Sequence, residues 1–213
     1  MYVAAVRYGA AAGALGVVLF AIGGVLVGER PPLDAGGAEL AAYVRDHRTA
    51  IQVGCALFGV SVPLLVCFLA AVSSGAAGRI ALLCGLVFLT LFLADCTALA
   101  VSALRPDPDT VVALRDFELL AMGLAAPTAS AMLVGLSATG IWSRSLSRLA
   151  VLAAALYLLR VGTLFTTDGP FAADGLLGLR VPVVAIASWW LAASLTLLVS
   201  GPCSSEKQLR APS

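Results

Sequence analysis

Apolar residues fall into six long blocks along this 213-residue chain, and most charged residues sit in the breaks between them. A run of about 18 or more uncharged positions is long enough to cross a bilayer as a helix. The blocks lie at about 8–27, 51–72, 80–103, 112–139, 146–165 and 181–199. The first ends at Glu29-Arg30-Pro31-Pro32, the second at the small-residue linker 73–79, and the third at Arg105-Pro106-Asp107-Pro108. In that last break two prolines forbid helix continuation. The third block is interrupted only by Asp95, and the fifth contains Arg160. The fourth carries Arg115, Asp116 and Glu118 in its first turns and Pro127, a kink position, in its middle. The expected fold is all-α: one polytopic bundle of six spans over residues 1–203, followed by a short polar tail, 204–213.

Two loops have structure of their own. In the first, Leu40, Tyr43, Val44 and His47 recur at helical spacing opposite Glu39, Arg45 and Arg48. The pattern predicts an interfacial helix over about 36–48, capped by Asp34 or a neighbour. In the fifth loop, Asp168-Gly169 and Asp174-Gly175 predict consecutive turns. The first block also has some features of a secretory leader, with Arg7 as its basic region. It is long for a leader, and no A-x-A-like site precedes Glu29, so a span is the better reading.

Composition narrows the function classes. Apolar residues make up 61% of the chain and charged residues 12%, about half the share of a soluble domain. With a mean hydropathy of +1.01, an ordinary water-soluble globule is excluded. A net charge of +1 gives no electrostatic case for nucleic acid. The lipid bilayer is the expected surrounding, with a membrane-protein partner or a homo-oligomer as the further partners to consider.

Orientation follows Lys and Arg in short loops. With the N-terminus inside, Arg7, Arg79, Arg144, Arg148, Lys207 and Arg210 are cytoplasmic, while Arg30, Arg45, Arg48, Arg105, Arg115 and Arg180 are external. The count is a tie. Arg7, Arg79 and Arg148 break it, because each directly precedes an apolar run at the start of an odd-numbered span. The expectation is N-in, C-in in the plasma membrane. The 72- and 69-residue spacing of those three arginines follows from equal span and loop lengths, without an internal repeat.

Helices in lipid approach closely where small residues share a face. Gly9 with Gly13 and Gly24 with Gly28 supply two such pairs in the first span, and Gly123, Ala131, Gly135 and Thr139 form a stripe in the fourth with Pro127 among them. Packing within one bundle accounts for these better than a dedicated dimer motif.

Asp95 and Arg160 are the ionisable residues to explain, since a charge inside a span faces a partner or a watery cavity. At ~1.5 Å per residue, Asp95 lies about 12 Å and Arg160 about 9 Å from the outer ends of their spans. Glu118 lies about 9 Å inside the fourth span, and the tandem Trp189 and Trp190 about 12 Å inside the sixth. Four helices are thus expected to bring polar or aromatic groups to one outer layer. In one reading that layer is an outward-facing polar pocket, with Asp95 and Arg160 paired and Glu118 as a second carboxylate. In the other, Asp95 and Arg160 form a structural ion pair, while Arg115, Asp116 and Glu118 reach up to the headgroups. The structural reading is favoured.

Catalytic and cofactor patterns are missing. The single His, His47, lies outside the spans, and the single Lys, Lys207, lies in the tail. These positions disfavour two-His haem ligation, a HExxH zinc site, a Ser-His dyad and a retinal Schiff base. Gly135-Leu136-Ser137-Ala138 only half matches a rhomboid-type serine motif, and there is neither a Walker A loop nor a CxxC pair. No catalytic, cofactor-binding or metal-ligating residue is assigned. Cys55 with Cys96, and Cys67 with Cys84, are symmetric about one turn and so fall at matching depths, but free buried thiols are the better reading. Cys203 in the tail has no counterpart.

The stretch Ala41-Ala42-Tyr43-Val44-Arg45-Asp46-His47-Arg48-Thr49-Ala50-Ile51, with Gly54 and Val62-Pro63-Leu64-Leu65 beyond it, resembles uncharacterised small six-helix integral membrane proteins of high-GC actinobacteria. The resemblance extends loosely over most of the chain through the order of spans and loops. It implies a plasma-membrane bundle and no particular activity. Two functional classes follow: a non-catalytic accessory or structural membrane subunit, and a small-molecule or lipid-handling carrier using the polar layer around Asp95, Glu118 and Arg160.

Overall fold

A computed structural model describes residues 2–32, 35–166, 169–172 and 175–200. The proposed cap Asp34, the aspartates of both Asp-Gly turns, Cys203 and the tail 204–213 lie outside the described residues. The described chain is helical: α1 (Tyr2–Val27), α2 (Gly37–Asp46), α3 (Arg48–Val72), α4 (Gly75–Leu104), α5 (Pro108–Ser137), α6 (Arg144–Leu158) and α7 (Val181–Ser200). A 3₁₀ segment, Leu159–Leu164, continues α6, and a wider π turn, Leu176–Arg180, leads into α7. Six of these helical stretches are long and apolar enough to cross a membrane, which makes this a multi-pass membrane protein.

The six spans form a closed ring in chain order, with α1 against α3, α3 against α4, α4 against α5, α5 against α6, α6 against α7, and α7 back against α1. The closest contacts use glycines. A Cβ on Gly13 would stand 2.6 Å from both the Phe68 ring and Ser194 Oγ, and Gly23 and Gly54 face each other across α1 and α3. Gly9 also lies against α3, but nothing stands within 4 Å of a Cβ built on Gly24. Gly28 ends α1 at φ +71, and its N–H caps the Gly24 carbonyl at 3.1 Å. The expected Gly24/Gly28 packing pair is therefore corrected: Gly23 makes the approach and Gly28 terminates the helix.

Several boundaries differ from the sequence expectation, the first and third spans beginning earlier, at Tyr2 and Gly75. The fourth span begins at Pro108, because Asp107 accepts from Thr110 N at 3.2 Å and the proline occupies the first helical turn. Hydrogen bonding from Thr110, its side chain first and its backbone N–H second, holds the Asp107 carboxyl below its usual pKa. The fifth span tightens to 3₁₀ winding at Leu159, and the sixth starts early at Leu176. Pro127 lies within a continuous α5 and is exposed.

The core is layered. Phe20, Phe58 and Phe92 of α1, α3 and α4 meet with ring centroids 5.2–5.5 Å apart. Phe88 of α4 meets Tyr157 of α6 edge-on at 5.6 Å. At the end of the bundle holding the α5–α6 loop, Trp142 packs against Phe68 and Trp189, and Phe68 also meets Trp190. Ser130 Oγ joins α5 to α6 by donating to the Ala154 carbonyl at 2.9 Å.

Candidate functional site

The polar layer lies at the end of the bundle covered by the α1–α2 loop. Its centre is an ion pair absent from the sequence expectation: the Arg30 guanidinium donates to Glu118 Oε2. Starting α5 at Pro108 puts Glu118 about 15 Å down that helix, deeper than expected. Its side chain is 6% exposed, against 32% for Arg30. The acid is thus rooted in the core, and the base comes down to it from the loop.

Other contacts hold that loop in place. Arg115 Nη2 donates to the Pro31 carbonyl at 2.7 Å, and the Tyr43 hydroxyl donates to the Val27 carbonyl, also at 2.7 Å. At the surface, Arg180 pairs with Glu29 at 2.9 Å. The amphipathic helix α2 lies across α5 and also touches α4 and α3, burying Leu40, Ala41 and Val44. Its N-cap is Gly36, without a side-chain bond. His47, expected on the buried face, is exposed and stacks on Tyr43 with centroids 4.4 Å apart.

Asp95 is half-buried, within electrostatic reach of Glu118, Arg30 and Arg160. The expected Asp95–Arg160 ion pair is corrected: among the described residues the ion pairs are Arg30–Glu118 and Arg180–Glu29, and Arg160 acts on Asp95 only through its longer-range field. No hydrogen bond to the Asp95 carboxylate occurs among the described residues. Arg160, only 6% exposed, sits in the 3₁₀ segment. It donates to the Tyr157 hydroxyl at 3.4 Å and lies 5.5 Å from that ring's centre, while its Nε has no acceptor among the described residues.

Asp95, Glu118, Arg115 and Arg160 therefore share a layer, and three other sequence candidates do not. Asp116 is exposed on α5. Trp189 and Trp190 are buried towards the opposite end of the bundle, where Trp189 Nε1 donates to the Leu146 carbonyl at 3.1 Å. Measuring the sixth span from Val181 understated their depth, because the chain already winds helically from Leu176.

Charge in the loop is well supported. Burial opposes the Arg30 cation, but Glu118 and Asp95 outweigh it and raise the Arg30 pKa above its ordinary value. Burial likewise raises the Tyr43 phenol, against the pull of Arg30 and Arg115. A cleft between Arg30, Tyr43, Ser102, Arg115 and Glu118 has room for about a single water molecule. The thiols Cys55 and Cys96, both buried, lie within electrostatic reach of the ion pair, and the described cysteines Cys55, Cys67, Cys84 and Cys96 are all free. This geometry can neutralise charge and fix helix register, and it can admit a small polar group from the loop side. Scans against protein-family models, curated proteins and solved structures found no match to the chain.

Proposed function

We propose that this is a non-catalytic integral protein of the plasma membrane, an accessory or structural subunit whose intramembrane charges serve the fold. The Arg30–Glu118 ion pair carries the reading: together with the Arg115–Pro31 bond it uses the layer's polar groups to fasten a loop, and it leaves a cleft of water size. A stoichiometric protein partner, or a second copy of the chain, is the expected companion. The test is a pull-down of tagged protein from mild detergent, with mass spectrometry of both proteins and lipids. A stoichiometric protein partner, or self-association, supports the reading. A bound solute or lipid that Asp95→Asn or Arg160→Gln removes without unfolding the protein overturns it.

A second reading, a carrier for a small molecule or lipid, is favoured by the unmatched groups: Asp95 receives no hydrogen bond and Arg160 Nε finds no acceptor among the described residues. A charge cycle separates the two readings. If Asp95→Asn and Arg160→Gln each lower stability and the double variant recovers it, the charges are structural. Single variants that stay folded but lose a copurifying molecule support the carrier.

A further inference from the structure

The two ends of the bundle carry charge differently. Every described side-chain carboxylate lies towards the end holding the α1–α2 loop: in that loop, in α2, in the α4–α5 turn, or in the halves of α4 and α5 that adjoin it. The opposite end carries Arg7 on α1, Arg79 on α4, and Arg144 and Arg148 on α6. All four side chains are exposed, and none makes an ion pair or hydrogen bond among the described residues. Each stands within about 8 Å of the start of its helix, the end where the backbone dipole is already positive, so the helix gives the charge no support. Helices α2 and α5 at the other end follow the dipole: Glu39 opens α2 with Arg45 in its last turn, and Asp107 and Asp109 open α5. The four arginines are thus charges that the chain itself does not answer.

Their surroundings identify the partner. Arg7, Arg79 and Arg148 are each followed directly by an exposed aromatic or aliphatic residue, Tyr8 at 78%, Ile80 at 57% and Leu149 at 36% exposure. One turn beyond Arg79 and Arg148, Leu83 and Leu152 continue that surface. A cation standing over exposed apolar surface matches a phospholipid, whose anionic headgroup sits above its acyl chains; an acidic protein segment has no use for the apolar continuation. The arginines also gather around one helix end. A Cβ on Gly135, near the end of α5, would stand 3.1 Å from the Ala77 carbonyl oxygen of α4, and Ser147 Oγ of α6 donates to the Ser137 carbonyl at 3.4 Å. The starts of α4 and α6 therefore flank the end of α5, with Arg79 on one side and the i,i+4 pair Arg144 and Arg148 on the other. We propose that this end of the bundle is a docking surface for anionic phospholipid, in which Arg79, Arg144 and Arg148 receive the headgroup phosphate and Ile80, Leu83, Leu149 and Leu152 meet the acyl chains. The inference goes beyond the accessory role, because it gives a lipid partner to the end of the bundle remote from the Arg30–Glu118 layer.

The experiment places the full chain in nanodiscs of phosphatidylcholine mixed with phosphatidylglycerol, which expose both ends of the bundle and so do not depend on orientation. The lipids that stay with the protein on release are counted by native mass spectrometry. An arginine near an anionic surface is worth about fivefold in lipid preference, so the wild type should enrich phosphatidylglycerol by about tenfold or more over its share in the disc. Combining Arg79→Gln, Arg144→Gln and Arg148→Gln should lower that enrichment by about tenfold. Arg79→Lys, Arg144→Lys and Arg148→Lys together should keep it, and Arg45→Gln with Arg48→Gln at the opposite end should leave it unchanged. Enrichment that survives the three Gln substitutions, or that Arg45→Gln with Arg48→Gln removes as fully, overturns the proposal. Full displacement of phosphatidylglycerol by millimolar inorganic phosphate overturns it by assigning the surface to a free anion. A chain that shows no lipid enrichment but carries a stoichiometric acidic protein, lost with the three Gln substitutions, overturns it as well. If the triple variant does not fold, Arg148→Gln alone should lower the enrichment about fivefold and is read in the same way.

Discussion

Arg30 and Glu118 are 88 residues apart in sequence and meet through a charge-assisted hydrogen bond, the first at the mouth of the bundle and the second deep in α5. Their unequal exposure has an energetic consequence. A lone Glu118 carboxylate stays buried without its partner, whereas a lone Arg30 can swing back to water. Arg30→Ala is therefore expected to cost about 2–3 kcal/mol and Glu118→Gln about 1 kcal/mol, because the unmatched group left behind sets the penalty. Replacing both with apolar residues, as Arg30→Met with Glu118→Leu, should fall within about 1 kcal/mol of wild type. Thermal unfolding in detergent measures all three, and equal losses in the two single variants would contradict the asymmetry.

Glycine positions on α1 give a sharper packing test. Gly13→Ala places a methyl 2.6 Å from both Phe68 and Ser194 Oγ, so these side chains, or the helices that carry them, must shift. The expected loss is about 1–3 kcal/mol, the range for overpacking a filled core. Gly24→Ala meets nothing within 4 Å and should be neutral or slightly stabilising, since alanine favours helix over glycine. If the two substitutions behave alike, the α1–α3 contact is not the one described.

These two cases mark what the sequence could reveal. Apolar run length found all six spans, and depth arithmetic along the spans put Asp95, Glu118 and Arg160 in one layer, because rise per residue is nearly fixed within a helix. The same arithmetic failed for Trp189 and Trp190, where its origin was wrong: helical winding starts at Leu176, in a stretch that reads as loop. Small-residue spacing picked out Gly9 and Gly13, which stand against neighbouring helices, but chose Gly24 where Gly23 makes the approach, since the two differ by about 100° around the axis and only tertiary packing selects between them. Arg30 was missed because a loop side chain has no periodicity to aim it. Its one signal was position: Pro31 follows it, and the residue before a proline is pushed to extended backbone.

Tyr43 predicts an alkaline limit. Burial raises its phenol above the ordinary value of 10.0, so the folded protein holds that proton more tightly than the unfolded chain. The resulting contribution to stability is complete below the unfolded pKa and is lost as pH rises through the higher folded value. Tyr43→Phe should remove that part of the slope, and loss of the bond to the Val27 carbonyl should cost about 0.5–1.5 kcal/mol at neutral pH. Unfolding midpoints for the two proteins between neutral pH and pH ~11 decide the matter. Parallel curves above pH ~10 would exclude Tyr43 as a contributor.

The direction in which the polar layer faces follows from charge beside the spans. Arg7, Arg79 and Arg148 each stand at the start of an odd-numbered span, so the positive-inside tendency predicts that the N-terminus, the α3–α4 turn and the α5–α6 loop are cytoplasmic. Six crossings return the C-terminus to that side, and the Arg30 loop then faces outward. Reporter fusions after Ser74, Ser143 and Ser204 should all report cytoplasm, and a fusion after Gly36 should report the exterior. Because the alternation is fixed by six spans, one external result among the first three reverses the assignment for the whole ring. It would turn the Arg30–Glu118 cleft towards the cytoplasm.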